Sequence, residues 1–182
     1  MDAVAPADRD WSDLAIAAAL AGDSISGRIA GEGYRRDVMP TDLWRRINAP
    51  RVDAYVALSQ ANWNGAIQSL ALVLKQLGSP GVDDAFYMAM AHDRAGRPDS
   101  AIAWYNRAIK SGSQNRYSQA AYWPAAHRRL GELYDRHGNG AKAIEHYEWF
   151  ADRWKNADPE LQPTVKAVRA RVAELKAKRA PG

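Results

Sequence analysis

Apolar residues recur along most of this chain at spacings of three and four, the period of an amphipathic helix, and short polar stretches rich in Gly, Asn, Asp and Pro interrupt them. Trp11, Leu14, Ala15 and Ala18 fall at i, i+3, i+4 and i+7 and predict a first helix. Gly22-Asp23 breaks it, and Ser24 or Ser26 is placed to cap a second helix running to Asp37. Met39-Pro40-Thr41-Asp42 reads as a boundary, with Thr41 as N-cap for a turn holding Leu43, Trp44 and Ile47. Pro50, which has no N–H to donate, is expected at a helix start or a kink. Ala54, Ala57 and Leu58 mark the next face. Asn62-Trp63-Asn64-Gly65 turns, and Ala66, Ile67, Leu70, Val73 and Leu74 form an apolar return helix stopped by Gly78-Ser79-Pro80-Gly81.

The same alternation continues. Ala85, Met88, Ala89 and His92 share a face, Gly96-Arg97-Pro98-Asp99 turns, and Ala101, Ile102, Tyr105, Ala108 and Ile109 return, with Pro98 suited to a first helical position. Ser111 to Pro124 is rich in Ser, Gln and Asn and reads as an inserted extended loop, with Pro124 opening the next helix. The segment from His127 to Phe150 is the best-formed pair, turning at Gly138 and Gly140. After a turn from Trp154 to Pro163, Val165, Val168, Val172 and Leu175 make a narrow stripe on a final helix. The small residues Ala66, Ala101 and Ala143 lie 35 and 42 residues apart, so a repeat near 34 residues carries about eight extra residues before its last copy.

Within the best-formed pair, Leu130-Gly131, Tyr134, Ala143 and Tyr147 reproduce the L-G-x2-Y…A-x3-F skeleton of a tetratricopeptide repeat. The chain therefore resembles a tetratricopeptide-repeat protein. That resemblance implies an all-α fold, an α-α superhelix of antiparallel helix pairs closed by a C-terminal capping helix, because a stack of repeats needs a polar outer face at its end. The expected division is one domain over residues 1–182, with a degenerate repeat at 9–38, repeats at 47–80, 82–112 and 124–156, and a capping helix at 160–179. From Leu130 to Pro163 the chain also resembles the C-terminal repeat region of bacterial serine/threonine protein kinases and related transcriptional regulators. There a W-K-x-A-D-P motif ends the last repeat, matched here by Trp154, Lys155, Ala157, Asp158 and Pro159. The kinase signatures themselves are missing: the chain has no Gly-rich loop, H-R-D or D-F-G. The resemblance thus implies a sensing or docking module.

Charge and chemistry narrow the reading further. The net charge of +4 belongs to the end of the chain, where residues 161–182 carry six basic side chains against Glu174. Nucleic acid could meet such charge through phosphates, but the aromatic residues sit at repeat-core positions and a solvated cap helix is the simpler account. There is no Cys, and His92, His127, His137 and His146 show no zinc-type spacing, so no metal, no cofactor and no catalysis are expected; His92 reads as a packed core residue. The longest apolar run, Leu14 to Ala21, is too short to span a bilayer and follows an acidic leader, which predicts a cytoplasmic protein without a signal peptide. The first helix of each repeat should line a concave groove. Repeat phase places Arg51 and Tyr55, then Phe86, Met90 and Arg94, then Arg128, Glu132, Asp135 and Arg136 toward it. The expected partner is a protein or an extended peptide with an acidic group and an apolar anchor. A regulatory role in a kinase or transcription-factor system and self-association through an exposed end of the stack are the alternatives.

Overall fold

The computed structural model describes residues 10–37, 43–78, 81–111 and 116–179. Among these the chain forms only helices: α1 Trp11–Ala21, α2 Ser24–Asp37, α3 Leu43–Ser59, α4 Trp63–Leu77, α5 Val82–Arg94, α6 Pro98–Lys110, α7 Arg116–Arg136, α8 Gly140–Arg153 and α9 Gln162–Ala177. They fall into two compact units, Met1–Pro80 with Met90–Arg97, and Gly81–Ala89 with Pro98–Gly182. The boundary at Met39 to Asp42, the proposed Thr41 cap, Ser79-Pro80 and residues 112–115 of the Ser111–Pro124 segment lie outside the described residues.

One turn recurs four times. Asp23 N–H donates to Ala18 O at 2.9 Å, Asn62 to Ala57 at 2.8 Å, Arg97 to His92 at 2.9 Å and Asn139 to Tyr134 at 2.9 Å. Each closes a Schellman-type helix end, which needs a left-handed residue just before the donor. Gly22, Gly96 and Gly138 supply it with φ near 70°, and in the remaining turn Ala61 is forced to φ 56°. The donor residue then starts the next helix. Asp23, Asn62 and Asn139 accept from the backbone N–H of Ser26, Gly65 and Lys142 at 3.1, 3.0 and 3.2 Å. After Arg97 the start is instead Pro98, the first residue of α6. The cap of α2 is therefore Asp23, not Ser24 or Ser26; a carboxylate one residue earlier reaches the same amides.

In the first unit α1 packs on α2, α3 on α4, and α3 lies against both helices of the preceding pair. Glycine makes this close approach possible. A Cβ on Gly33 would stand 2.6 Å from the ring of Trp11, and one on Gly31 would stand 2.9 Å from Val56. Trp11 is buried, and its indole N–H donates to Asp37 at 3.0 Å. The glycines of α2 cost helix propensity, but they let Trp11 fill the seam.

In the second unit α7 packs on α6 and α8, and α9 lies on α8. Gly131 faces Tyr147 so closely that a Cβ would stand 2.4 Å from the ring. Val165, Val168, Val172 and Leu175 of α9 are all buried, so the predicted stripe closes this unit.

Pro50 lies inside α3, so of the two places expected for it the helix start is excluded. Two expectations are corrected: Pro124 does not open a helix but lies inside α7, and the segment before it is not a loop. The described part of the expected loop, Arg116 to Pro124, is thus an N-terminal extension of α7. A proline within a helix forfeits only its own N–H bond and crowds one carbonyl. Packing on both sides outweighs that local loss, and Pro124 is itself buried.

Ala61 carries the testable cost of the turn. A left-handed Ala is disfavoured relative to Gly by about 1 kcal/mol. Ala61→Gly should raise stability by roughly 0.5–1 kcal/mol, read as a higher urea midpoint at unchanged m.

Candidate interaction surface

The nine candidate residues do not share one unit. Arg51, Tyr55, Met90 and Arg94 belong to the first; Phe86, Arg128, Glu132, Asp135 and Arg136 belong to the second. In the first unit Tyr55 is 3% exposed and belongs to the core, so it offers no surface to a partner. Arg51 is half-buried and donates to Asn48 Oδ1 at 2.7 Å, which holds it along its own helix. Met90 is half-buried and Arg94 exposed, one turn apart on α5.

In the second unit Phe86 is 8% exposed, with ring contacts to Tyr87, Tyr105 and Tyr122 at centroid distances of 5.7, 5.7 and 5.0 Å. The expected apolar anchor point is therefore core. A residue's phase on a helix separates groove from core by about one position, 100° of arc, and a buried aromatic fits the period as well as an exposed one.

The α7 charges do come together. Glu132 accepts from Arg128 at 2.9 Å and also from Arg129, so one carboxylate fixes two guanidinium groups along a single helix edge. Arg136, a turn further on, is exposed and donates weakly to Glu132 O at 3.4 Å. Asp135 is committed elsewhere. Arg171 of α9 clamps it with two parallel bonds, Nε to Oδ2 at 2.7 Å and Nη2 to Oδ1 at 2.8 Å. Those bonds, with Arg171 beside it, hold the Asp135 carboxyl below the usual carboxylate range. Asp135 thus anchors the capping helix.

The spacing of single residues did not point to this anchor, nor to a second arrangement, His127 of α7 against His146 of α8 with Nδ1 atoms 3.0 Å apart. Distance from the turn does not find the histidines: His127 lies 11 residues before Gly138 and His146 only 7 after Asn139. Tyr147 sits in the same seam, and burial pushes its phenol up to about 12. Among the described residues no three His, Asp or Glu side chains gather so as to hold a metal ion. No helix there is long and apolar enough to cross a membrane.

Of known proteins, no family model matches this chain, and no curated protein sequence does. Solved structures do. One, a crystal structure of MamA protein, superposes with a TM-score of 0.50 at 19% identity over 94% of each chain. Another MamA crystal structure gives 0.48 at 18% identity, over 85% of this chain and 91% of that one. Together with the recurring turn and the small residues between paired helices, the fuller match settles the architecture. The fold is all-α and tetratricopeptide-like.

The Asp135–Arg171 clamp is open to direct test. Asp135→Asn removes the charge but keeps the shape, and should cost about 1 kcal/mol, since both partners are partly solvated. The pair's contribution is present above the ordinary carboxylate pKa and is lost as pH falls through the lowered value. The variant should show faster amide exchange across α9 at neutral pH and a shallower loss of stability below about pH 4.

Proposed function

We propose that this chain is a non-catalytic protein-interaction module, a scaffold or sensor that binds a protein or peptide through the charged edge of α7. The observation that carries the reading is the triad on that edge, in which Glu132 holds Arg128 and Arg129 in place with Arg136 exposed one turn beyond. Guanidinium groups already held in position lose less freedom when they meet a partner, and their planar forks suit carboxylates. An acidic segment of a partner is the natural complement. With Tyr55 and Phe86 buried, an apolar anchor on that partner has no place among the proposed residues of this edge. Arg51, Met90 and Arg94 lie in the other unit and do not enter this reading.

A regulatory place beside a kinase or transcription factor rests on the Trp154–Pro159 motif alone. Trp154 stacks on Phe150 at 5.5 Å, Ala157 N–H donates to Trp154 O at 3.0 Å, and Gln162 donates to Ala157 O at 2.6 Å. These residues build the elbow from α8 to α9, a structural duty sufficient to account for the motif. Nucleic-acid binding by the C-terminal helix is weakened by use of its charges within the fold: Arg171 pairs with Asp135 and Glu174, Lys176 with Glu148, and Arg169 donates to Ala151 O. The cytoplasm, an environment with abundant protein partners, is the compartment we assign to the module.

Affinity capture from the native cell, with the wild-type chain and with Arg128→Glu plus Arg136→Glu, tests the proposal. The double variant should retain its helical circular dichroism and lose its partner at least tenfold, about 1.4 kcal/mol or more. Equal recovery of the same partner by both proteins removes α7 as the binding edge.

A further inference from the structure

His127 and His146 are both buried, at 9% and 6% exposure, on the facing sides of the α7–α8 hairpin. Neither ring can swing freely. His127 stacks on Trp149 at 3.8 Å and 8°, and His146 lies parallel to Tyr134 at 5.5 Å and 8°. Tyr134 is itself held, since its hydroxyl accepts from Asn106 of α6 at 3.1 Å. The two Nδ1 atoms, 3.0 Å apart, leave room for a single hydrogen: one ring donates it and the other accepts. With both rings neutral, one is the Nδ1–H tautomer and the other the Nε2–H tautomer. A first added proton goes to the donor ring's Nε2 and leaves the bridge intact. A second goes to the acceptor's Nδ1, and two N–H groups on two cations then confront each other in a buried seam.

The surroundings resist that charge. Burial is the main reason both rings hold protons weakly; it brings His127 down to about 4 and lowers His146. The charges acting on the pair lie on α8: Arg153 opposes protonation of His127, Lys142 opposes it at His146, and Glu145 favours it there. From α6 the contact through Tyr134 is the uncharged Asn106, while Asp99 of α6 pairs with His137 at 3.5 Å. On the α9 side, Lys176 is paired with Glu148 and Arg169 donates to the backbone.

We propose that the His127–His146 pair is an acid-operated latch on the α7–α8 hairpin, closed while the rings share one hydrogen and released when both Nδ1 atoms are protonated. The sign follows from linkage. The folded protein binds these protons more weakly than the unfolded chain, so the latch's contribution is complete above about pH 6.5 and falls away as pH drops toward 4. Asp135 is held below the usual carboxylate range, and every carboxylate is common to the wild type and the variant below, so their difference between pH 7 and pH 5 reports the histidines.

The experiment compares thermal unfolding of the full chain across that window with the His127→Gln, His146→Gln double variant, whose amides can bond to each other without titrating. The wild type should lose about 5 °C between pH 7 and pH 5, and the double variant less than half as much. His92, whose protonation burial also opposes, remains in both proteins and supplies a residual slope. Nitrogen-15 spectra of the wild-type histidine rings give a second readout that does not need the variant to fold. They should show a shared Nδ1–H–Nδ1 hydrogen at pH 7 that is lost as the pH falls toward 4, with neither bridged ring titrating above pH 6. Equal acid slopes in the two folded proteins, or both rings titrating near 6.5 with no shared hydrogen, overturns the latch.

Discussion

The paired helices depend on helix surfaces close enough for one side chain to occupy the space of another residue's missing Cβ. Tyr147 lies against Gly131, and Trp11 lies against Gly33. Helix propensity alone argues against glycine at both places by about 1 kcal/mol each. A buried aromatic ring contributes more than that through apolar area, roughly 1.5–3 kcal/mol for a large side chain. Packing therefore outweighs local preference. The balance explains why α2, with glycines at 27, 31 and 33, is still helical, and why these positions accept nothing larger without movement of a neighbouring side chain.

Several features of the second unit follow from that approach. Once α7 and α8 lie this close, His127 meets His146, and Asn139 can both end one helix and begin the next. The same seam puts Asp135 at the edge where α9 arrives, and Arg171 closes on it from the far side. The capping helix is thus held by two different forces. Its stripe of three valines and a leucine is buried, and a bidentate ion pair fixes its register. Charged groups left on α7 are ordered by Glu132, which is why that edge is the proposed meeting place for a partner.

Local features were legible in the amino-acid sequence. Gly22, Gly96 and Gly138 announced turns, the small Ala66, Ala101 and Ala143 announced the paired helices, and all three alanines are fully buried. Features decided by tertiary packing were not. Pro50 and Pro124 obey a local rule that ends helices, yet both sit within one. Tyr55 and Phe86 satisfied the period of the proposed groove and are buried instead, because a helical period fixes relative phase but not which way the whole face points. The histidine pair and the Asp135–Arg171 clamp join residues 19 and 36 apart, and only the packing of α7 against α8 and α9 brings them together.

The central claim is that close approach at Gly131 makes the α7–α8 seam. A double-mutant cycle on Gly131→Ala and Tyr147→Leu, measured by urea unfolding, tests it directly. With Tyr147 in place, the added methyl should destabilise by about 1–3 kcal/mol through overpacking. In the Tyr147→Leu background the same change should become neutral, or stabilising by up to about 1 kcal/mol as helix propensity takes over. The coupling should exceed about 1 kcal/mol. An effect of Gly131→Ala that is the same in both backgrounds, within about 0.5 kcal/mol, would contradict the account.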